Sequence, residues 1–324
     1  MQYAIWLDFI ERDFLHNDFG RLIETGTVCG ATSNPAIFAS AMTSSAAYGE
    51  QLASLQGASP KAIYEALAID DIRTAARLLR PVYDKGEGDG YVSIEVDPFL
   101  AHDTQGTIQE GKRLFEAIGE PNVMIKVPAT KAGYGAMEAL LSEGISVNAT
   151  LVFAPEQAER CTDAMMRGMD KSDADTHAVV SVFVSRFDRK LDGILRERGL
   201  ETGKTGIYNA AIIYHAIEAL RRPRIRTLFA STGVKGDDLP PAYYVASLAC
   251  DHAVNTAPLA TIEAYGKAEA IPSMMPIPQS KIDDYFTHLA QVGIAIDEVR
   301  SQLLHEGLKA FEEAFEDLLG RLAA

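Results

Sequence analysis

At 324 residues, 47% hydrophobic and 23% charged, the chain is long and apolar enough to bury a full core, as one large α/β domain or two smaller ones. A formal net charge of −15 argues against a nucleic-acid partner, since no long basic cluster offsets it, although a few local Arg and Lys residues can still hold a phosphate. Cys29, Cys161 and Cys250 are widely spaced and form no CxxC pattern, which suits a reducing compartment and excludes a disulfide framework.

The opening MQYAIWLDFIERD has no basic segment ahead of an apolar one, and Asp8 interrupts its apolar stretch, so no signal peptide is expected. No apolar run approaches the length of a membrane span, and a cytoplasmic location is expected. Strand-like runs then follow in order: Tyr3–Phe9, Val28–Asn34, Tyr91–Asp97, Asn122–Ala129, Ile145–Phe153, Ala178–Ser185, Arg226–Ser231 and Ala253–Thr256. Between them lie amphipathic segments with glycine stops: Thr107–Ile118 before Gly119, Gly135–Glu143 before Gly144, and Arg186–Arg198 before Gly199. Strand–helix alternation repeated to this extent predicts a parallel (β/α)8 barrel (a TIM barrel) in preference to a doubly wound sheet, with residues 1–324 as one domain.

The connection between the second and third strands is oversized and reads as helical, with segments Ser59–Ala68, opened by Ser-Pro, and Ile72–Tyr83. KGEGDG (85–90) precedes a strand, so it reads as a turn and not as a phosphate loop. The tail reads as a helix with Asp297 as N-cap. Its apolar stripe includes Val299, Leu303, Leu304, Leu308, Phe311, Phe315, Leu318 and Leu319, suited to packing on the barrel.

In NVMIKVPAT (122–130), Val123, Ile125 and Val127 share one face of the strand, while Met124 and Lys126 share the other. Burying an ammonium costs several kcal/mol unless it is paired or loses its proton. Lys126 therefore either snorkels out at the strand end or acts as a neutral amine. Active sites of this fold sit at the C-terminal strand ends, and polar residues gather there with inward parity. They are Asp8, Thr32 with Asn34, Ser93 with Glu95 and Asp97, Lys126, Asn148 with Thr150, and Ser181 with Arg186 just beyond. Singly, each has an ordinary explanation: a helix cap for Asp8, an Asn-Pro turn for Asn34, a polar barrel layer for Asn148 and Thr150, a surface helix start for Arg186. Agreement across six strands is hard to explain by packing, because buried polar groups need partners. Glu95 and Asp97 have no histidine pair at metal-ligand spacing, so no metal is expected. STGVK (231–235) offers Arg186 a companion for a phosphate: a glycine-containing turn, hydroxyls and Lys235.

With those residues assembled, the chain resembles the transaldolases from its first strand to its last helix. The resemblance is carried by LDFIERD (7–13), GATSNPAIF (30–38), SIEVDP (93–98), MIKVPAT (124–130), VNATLVF (147–153), SVFVSRF (181–187) and LFASTGVK (228–235). It implies a Schiff-base enzyme that moves a dihydroxyacetone unit from sedoheptulose 7-phosphate to glyceraldehyde 3-phosphate, giving erythrose 4-phosphate and fructose 6-phosphate. Under it, Lys126 is the imine-forming amine, Asp8 the base for the C4 hydroxyl, and Glu95 with Thr150 the handlers of proton and water. Asn34 and Asn148 would bind the dihydroxyacetone hydroxyls, and Ser181 would bind that moiety or line the site. Arg186, Ser231 and Lys235 would hold the phosphate, with Lys235 standing in for an arginine that better-known transaldolases carry after the seventh strand; lysine binds phosphate as a point charge, not a planar fork. Neither metal nor organic cofactor is required, and the partners implied are sugar phosphates, with the chain a monomer or homodimer. The competing expectations are an aldolase of the same superfamily, which would release dihydroxyacetone, and a catalytically inactive barrel kept for binding sugar phosphates.

Overall fold

In the computed structural model, which describes residues 3–267 and 271–323, every one of the eight apolar runs forms a strand. They are β1 Ala4–Leu7, β2 Ala31–Thr32, β3 Val92–Glu95, β4 Val123–Pro128, β5 Ser146–Val152, β6 Ala178–Phe183, β7 Ile225–Ala230 and β8 Ala253–Ala257. All pair in parallel in sequence order, and β8 returns to β1 to close the barrel. Val and Ile residues of one parity (Ile94, Val123, Ile125, Val147, Val180) are buried under the surrounding helices. The other parity fills the barrel, and its lower half is apolar: Trp6, Tyr91, Met124, Val179, Leu228 and Val254 form one cluster. Gly30 faces the same space, where a Cβ would stand 2.5 Å from the Trp6 ring.

Helix starts follow capping chemistry. Asn34 caps Pro35–Ser44, Ser59 caps Pro60–Tyr83, Asp103 caps Thr104–Ile118 and Thr130 caps Lys131–Ser142, each side-chain oxygen accepting from a backbone N–H of the first turn. Gly119 ends its helix at φ 72°, the left-handed conformation that its missing Cβ permits.

Two sequence expectations need correction. The two helical segments of the oversized connection are one 24-residue helix, Pro60–Tyr83. Asp71 breaks the apolar periodicity there, yet it is buried, paired with Arg12 Nε at 2.9 Å and accepting from the Tyr48 hydroxyl at 2.8 Å. Asp297 does not cap the last helix: Ala295 holds that position, and Asp297 lies in the first turn, 2.7 Å from Arg300 Nη1. That helix, Ile296–Leu322, packs on the barrel as expected and crosses its C-terminal mouth. Phe315 meets Tyr64 edge-on at 5.2 Å, and Phe311 lies under the mouth beside Lys126.

Candidate active site

Strand register brings the polar layer together. Glu95 on β3 pairs with Lys126 on β4, and Lys126 pairs with Asn148 on β5, so three consecutive strands present these side chains at one height. A cavity of about 270 Å³ opens above them, lined by Asp8, Asn34, Lys126, Thr150, Ser181, Arg186 and Ser231 among others. Lys126 is buried. Its Nζ donates to the Ser33 carbonyl at 3.0 Å, stands 3.3 Å from Glu95 Oε2 and lies 5.6 Å from the centre of the Phe311 ring.

Beneath the cavity, Asn148 donates through Nδ2 to Ser93 Oγ at 3.0 Å and accepts through Oδ1 from Ser181 Oγ at 2.6 Å. Its amide is therefore committed to the floor of the site. Asn34 has a different position: its Oδ1 caps the following helix at Ile37 N, while its Nδ2 has no partner among the described residues. Asp8 Oδ1 accepts from Thr32 Oγ1 at 2.7 Å.

The electrostatics are set by burial against charge. Burial pushes the Glu95 carboxyl up to about 7; Lys126 pulls it down, and Asp8 adds to the rise. Burial also raises Asp8, opposed by Lys126 and by the Thr32 hydroxyl. Burial lowers Arg186 to about 10, with Arg189 acting in the same direction, so the guanidinium stays charged at neutral pH. Both Glu95 oxygens and Thr150 Oγ1 are buried with no hydrogen-bond partner among the described residues. Such groups are rare in a packed interior, and here they cluster within one site, where a water or a substrate hydroxyl is the partner they can take.

At the far side of the cavity stand Arg186, its Cζ 5.0 Å from the Phe183 ring, and Ser231, whose Oγ lies 3.0 Å from Ser185 Oγ. No carboxylate lies within ion-pair distance of Arg186 among the described residues. An unpaired guanidinium beside hydroxyls is a fit for an anionic group.

Two sequence expectations fail on position. Lys235 is exposed and does not line the cavity. The chain turns at Ser231, with φ 56°, and Thr232 is then held toward β8 by bonds to Asn255 Oδ1 and the Thr256 carbonyl, which leaves residue 235 outside. Asp97, grouped with the inward set, instead caps the turn Pro98–Leu100 and pairs with Lys61 at 2.6 Å. The structure also adds residues that the sequence reading did not single out for the site. Thr256 on β8 shares a 2.6 Å contact with Thr32, Phe183 stacks under Arg186, and the Ser33 carbonyl and Phe311 flank Lys126. Thr256 was findable by parity, being a polar residue at the end of the eighth strand.

A buried lysine beside a carboxylate, with a cationic arm across the cavity, is an arrangement for imine chemistry on a phosphorylated carbonyl compound. Comparison with known proteins agrees with that chemistry. The family model described as "Transaldolase/Fructose-6-phosphate aldolase" matches residues 5–322. A protein named transaldolase from Helicobacter pylori (strain Shi470) is 42% identical over 318 residues, covering 98% of each chain. Another of that name, from Campylobacter jejuni subsp. jejuni serotype O:23/36 (strain 81-176), is 43% identical over 334 residues and 99% of each chain. Among solved structures, a putative fructose-1,6-biphosphate aldolase from Coccidioides immitis covers 98% of this chain and 89% of its own, at 11% identity and a TM-score of 0.37. That likeness adds nothing to the barrel already traced. With the family model and the two bacterial relatives all spanning nearly its whole length, the chain belongs to the transaldolase/fructose-6-phosphate aldolase family.

Proposed function

We propose that this chain is a transaldolase acting as a single barrel domain. It transfers a dihydroxyacetone unit from sedoheptulose 7-phosphate to glyceraldehyde 3-phosphate, as a step of the non-oxidative pentose phosphate pathway. The observation that carries the reading is the buried amine of Lys126, 3.3 Å from Glu95 and open to the same cavity as Arg186. As free amine, Lys126 adds to the ketose C2 carbonyl and water leaves, giving a protonated imine. Asp8 takes the C4 hydroxyl proton; the C3–C4 bond breaks, and its electron pair is held as an enamine on Lys126. The aldose departs and the acceptor aldehyde enters. The enamine carbon attacks it while Asp8 returns the proton, and water hydrolyses the imine.

Glu95, buried and titrating near neutrality, is suited to the proton transfers of imine formation and hydrolysis, with Thr150 Oγ1 positioning the water. The Asn34 amide and Ser181 hold the dihydroxyacetone moiety, with Asn148 beneath the cavity orienting the Ser181 hydroxyl. Arg186 and Ser231 bind the phosphate without Lys235. No helix among the described residues is long and apolar enough to cross a membrane, and a cytoplasmic site of action is proposed with the activity.

Two measurements test the assignment. Borohydride reduction in the presence of fructose 6-phosphate is expected to trap an adduct on Lys126, mapped by mass spectrometry; an adduct on another lysine, or none, would refute it. Product analysis with an acceptor aldehyde present separates transfer from the aldolase alternative within this family. Substantial free dihydroxyacetone would favour the aldolase.

A further inference from the structure

The phosphate arm has an unusual neighbour. Gly307 is buried in the middle of the last helix, where glycine is the least favourable ordinary residue after proline. A Cβ built on it would meet Leu151 Cδ2 at 3.0 Å and Arg186 Nη1 at 3.1 Å. Both distances are tighter than ordinary van der Waals contact, so one neighbour would have to yield.

The two neighbours differ in freedom. Leu151 is fully buried, packs in the apolar cluster that includes Phe153, Phe183 and Phe187, and sits at φ 58° where β5 shifts register between Ala149 and Val152. A leucine in the left-handed region is held there only because its surroundings over-determine it. Arg186 has a long side chain, is part-exposed to the cavity and has no ion-pair partner among the described residues. A methyl at 307 would therefore displace the guanidinium, wedged as it is between the helix and the Phe183 ring.

We propose that Gly307 is the specificity-determining position for the phosphate arm. By lacking a Cβ it lets the last helix close against Arg186 and fix the guanidinium on the cavity wall, so recognition of the phosphate is set from a helix that contributes no cation to it. The same helix face carries Ala310, Phe311 and Ala314 into the cavity, at i+3, i+4 and i+7 from Gly307. A shift of the whole helix would disturb Phe311 beside Lys126 and depress kcat. A displacement of Arg186 alone would leave the chemistry intact. This inference rests on the proposed role of Arg186, and the two effects can be told apart.

The experiment compares Gly307→Ala with wild type on fructose 6-phosphate and on fructose, the same ketose without its phosphate. Gly307→Ala is expected to raise KM for the phosphorylated donor about tenfold, with kcat and fructose turnover within about twofold. In a cycle with Arg186→Ala, the double variant should be no worse than Arg186→Ala alone. An unchanged KM, equal losses on both ketoses, or additive losses in the cycle would overturn the proposal. Should Gly307→Ala fold poorly, Leu151→Ala/Gly307→Ala removes the Leu151 contact and keeps the one to Arg186. It must show the same KM increase, and a return to the wild-type value counts against the idea. Calorimetric binding of fructose 6-phosphate reads phosphate recognition even where no transfer occurs. Gly307→Ala should weaken that binding about tenfold as well, and equal affinity in the two proteins overturns the inference whatever the fate of the transaldolase reading.

Discussion

The two ends of the barrel interior each hold a buried cation beside a carboxylate, and they treat it differently. At the N-terminal end Arg226 Nη2 lies 3.0 Å from Asp89 Oδ1, its Nη1 donates to the Gly88 carbonyl, and Asp89 also accepts from Trp6 Nε1 at 3.3 Å. The glycine-rich turn 85–90, read from sequence as a simple turn, supplies these acceptors and plugs the barrel floor. At the C-terminal end Lys126 meets Glu95 at 3.3 Å, but both Glu95 oxygens and Thr150 Oγ1 lack hydrogen-bond partners among the described residues. Arginine stays charged in any protein environment, so the lower pair must be satisfied permanently. The upper site uses groups that can gain or lose a proton and leaves room for a ligand to complete it. One fold thus separates a stability end from a chemistry end by how completely each ion pair is solvated by protein.

Exchanging each cation for a methionine should break the symmetry. Lys126→Met is expected to lower transfer activity by at least about 10³-fold, because no other amine lines the cavity among the described residues to form the imine. Its unfolding free energy at pH 6 should stay within about 1 kcal/mol of wild type, since Glu95 can take up a proton when its cation goes. Arg226→Met should do the reverse. It leaves Asp89 charged at the barrel floor and should cost about 3 kcal/mol in urea unfolding, with kcat within about twofold for the folded protein. Equal stability losses in the two variants would erase the distinction between the ends.

This division explains what could and could not be read from the chain. The eight strands and their helix stops were legible because Ile94/Val96, Val123/Ile125/Val127 and Val180/Val182 repeat at period two and because Gly119 ends its helix in the left-handed region. Lys126 was legible because a cation in an apolar run is costly and therefore conspicuous. Other features depended on tertiary placement. Asp71 falls in the gap between the two expected helical segments, and the partners that let it be buried inside one helix, Arg12 and Tyr48, come from distant elements. Phe311 was read correctly as part of an apolar stripe, but no local signal says that the stripe crosses the barrel mouth. Lys235 lies four residues past Ser231, and one left-handed residue with a buried threonine after it decided which way the loop went.

The upper end should also betray itself through pH. Glu95 titrates at about 7 when folded, against an ordinary value of 4.5, so the folded state holds the proton more tightly than the unfolded chain. The stability it contributes is fully present below about pH 4.5, falls as pH rises, and is gone above about 7; Asp8, also raised, acts with the same sign. Relative to Glu95→Gln, whose amide cannot ionise, wild type should lose on the order of 2 kcal/mol between pH 5 and pH 8. Urea unfolding across that range reads the difference directly. Parallel stability profiles for the two proteins would mean that Glu95 is charged throughout.

The smallest effect probes how the upper end keeps Asp8 usable as a base. Asp8 follows β1, between β2, which carries Thr32, and β8, which carries Thr256. Thr32 Oγ1 donates to Asp8 Oδ1, and having a single proton it must accept from Thr256 across their 2.6 Å contact. The chain Thr256→Thr32→Asp8 favours the carboxylate and so opposes the rise that burial imposes. Thr32→Val keeps the shape and removes both bonds, which should push the Asp8 carboxyl higher and slow aldol cleavage about tenfold at neutral pH, with imine formation little changed. Stability should fall by only about 1 kcal/mol, mostly from the unpaired Thr256 hydroxyl. Rapid-mixing measurement of both steps, with the acid limb of the pH–rate profile moving upward, distinguishes a proton-holding role from general loosening, and Thr32→Ser should restore the wild-type profile. If both steps slow equally, or the serine variant fails to rescue, the threonine chain is packing and Asp8 owes its basicity to Lys126 alone.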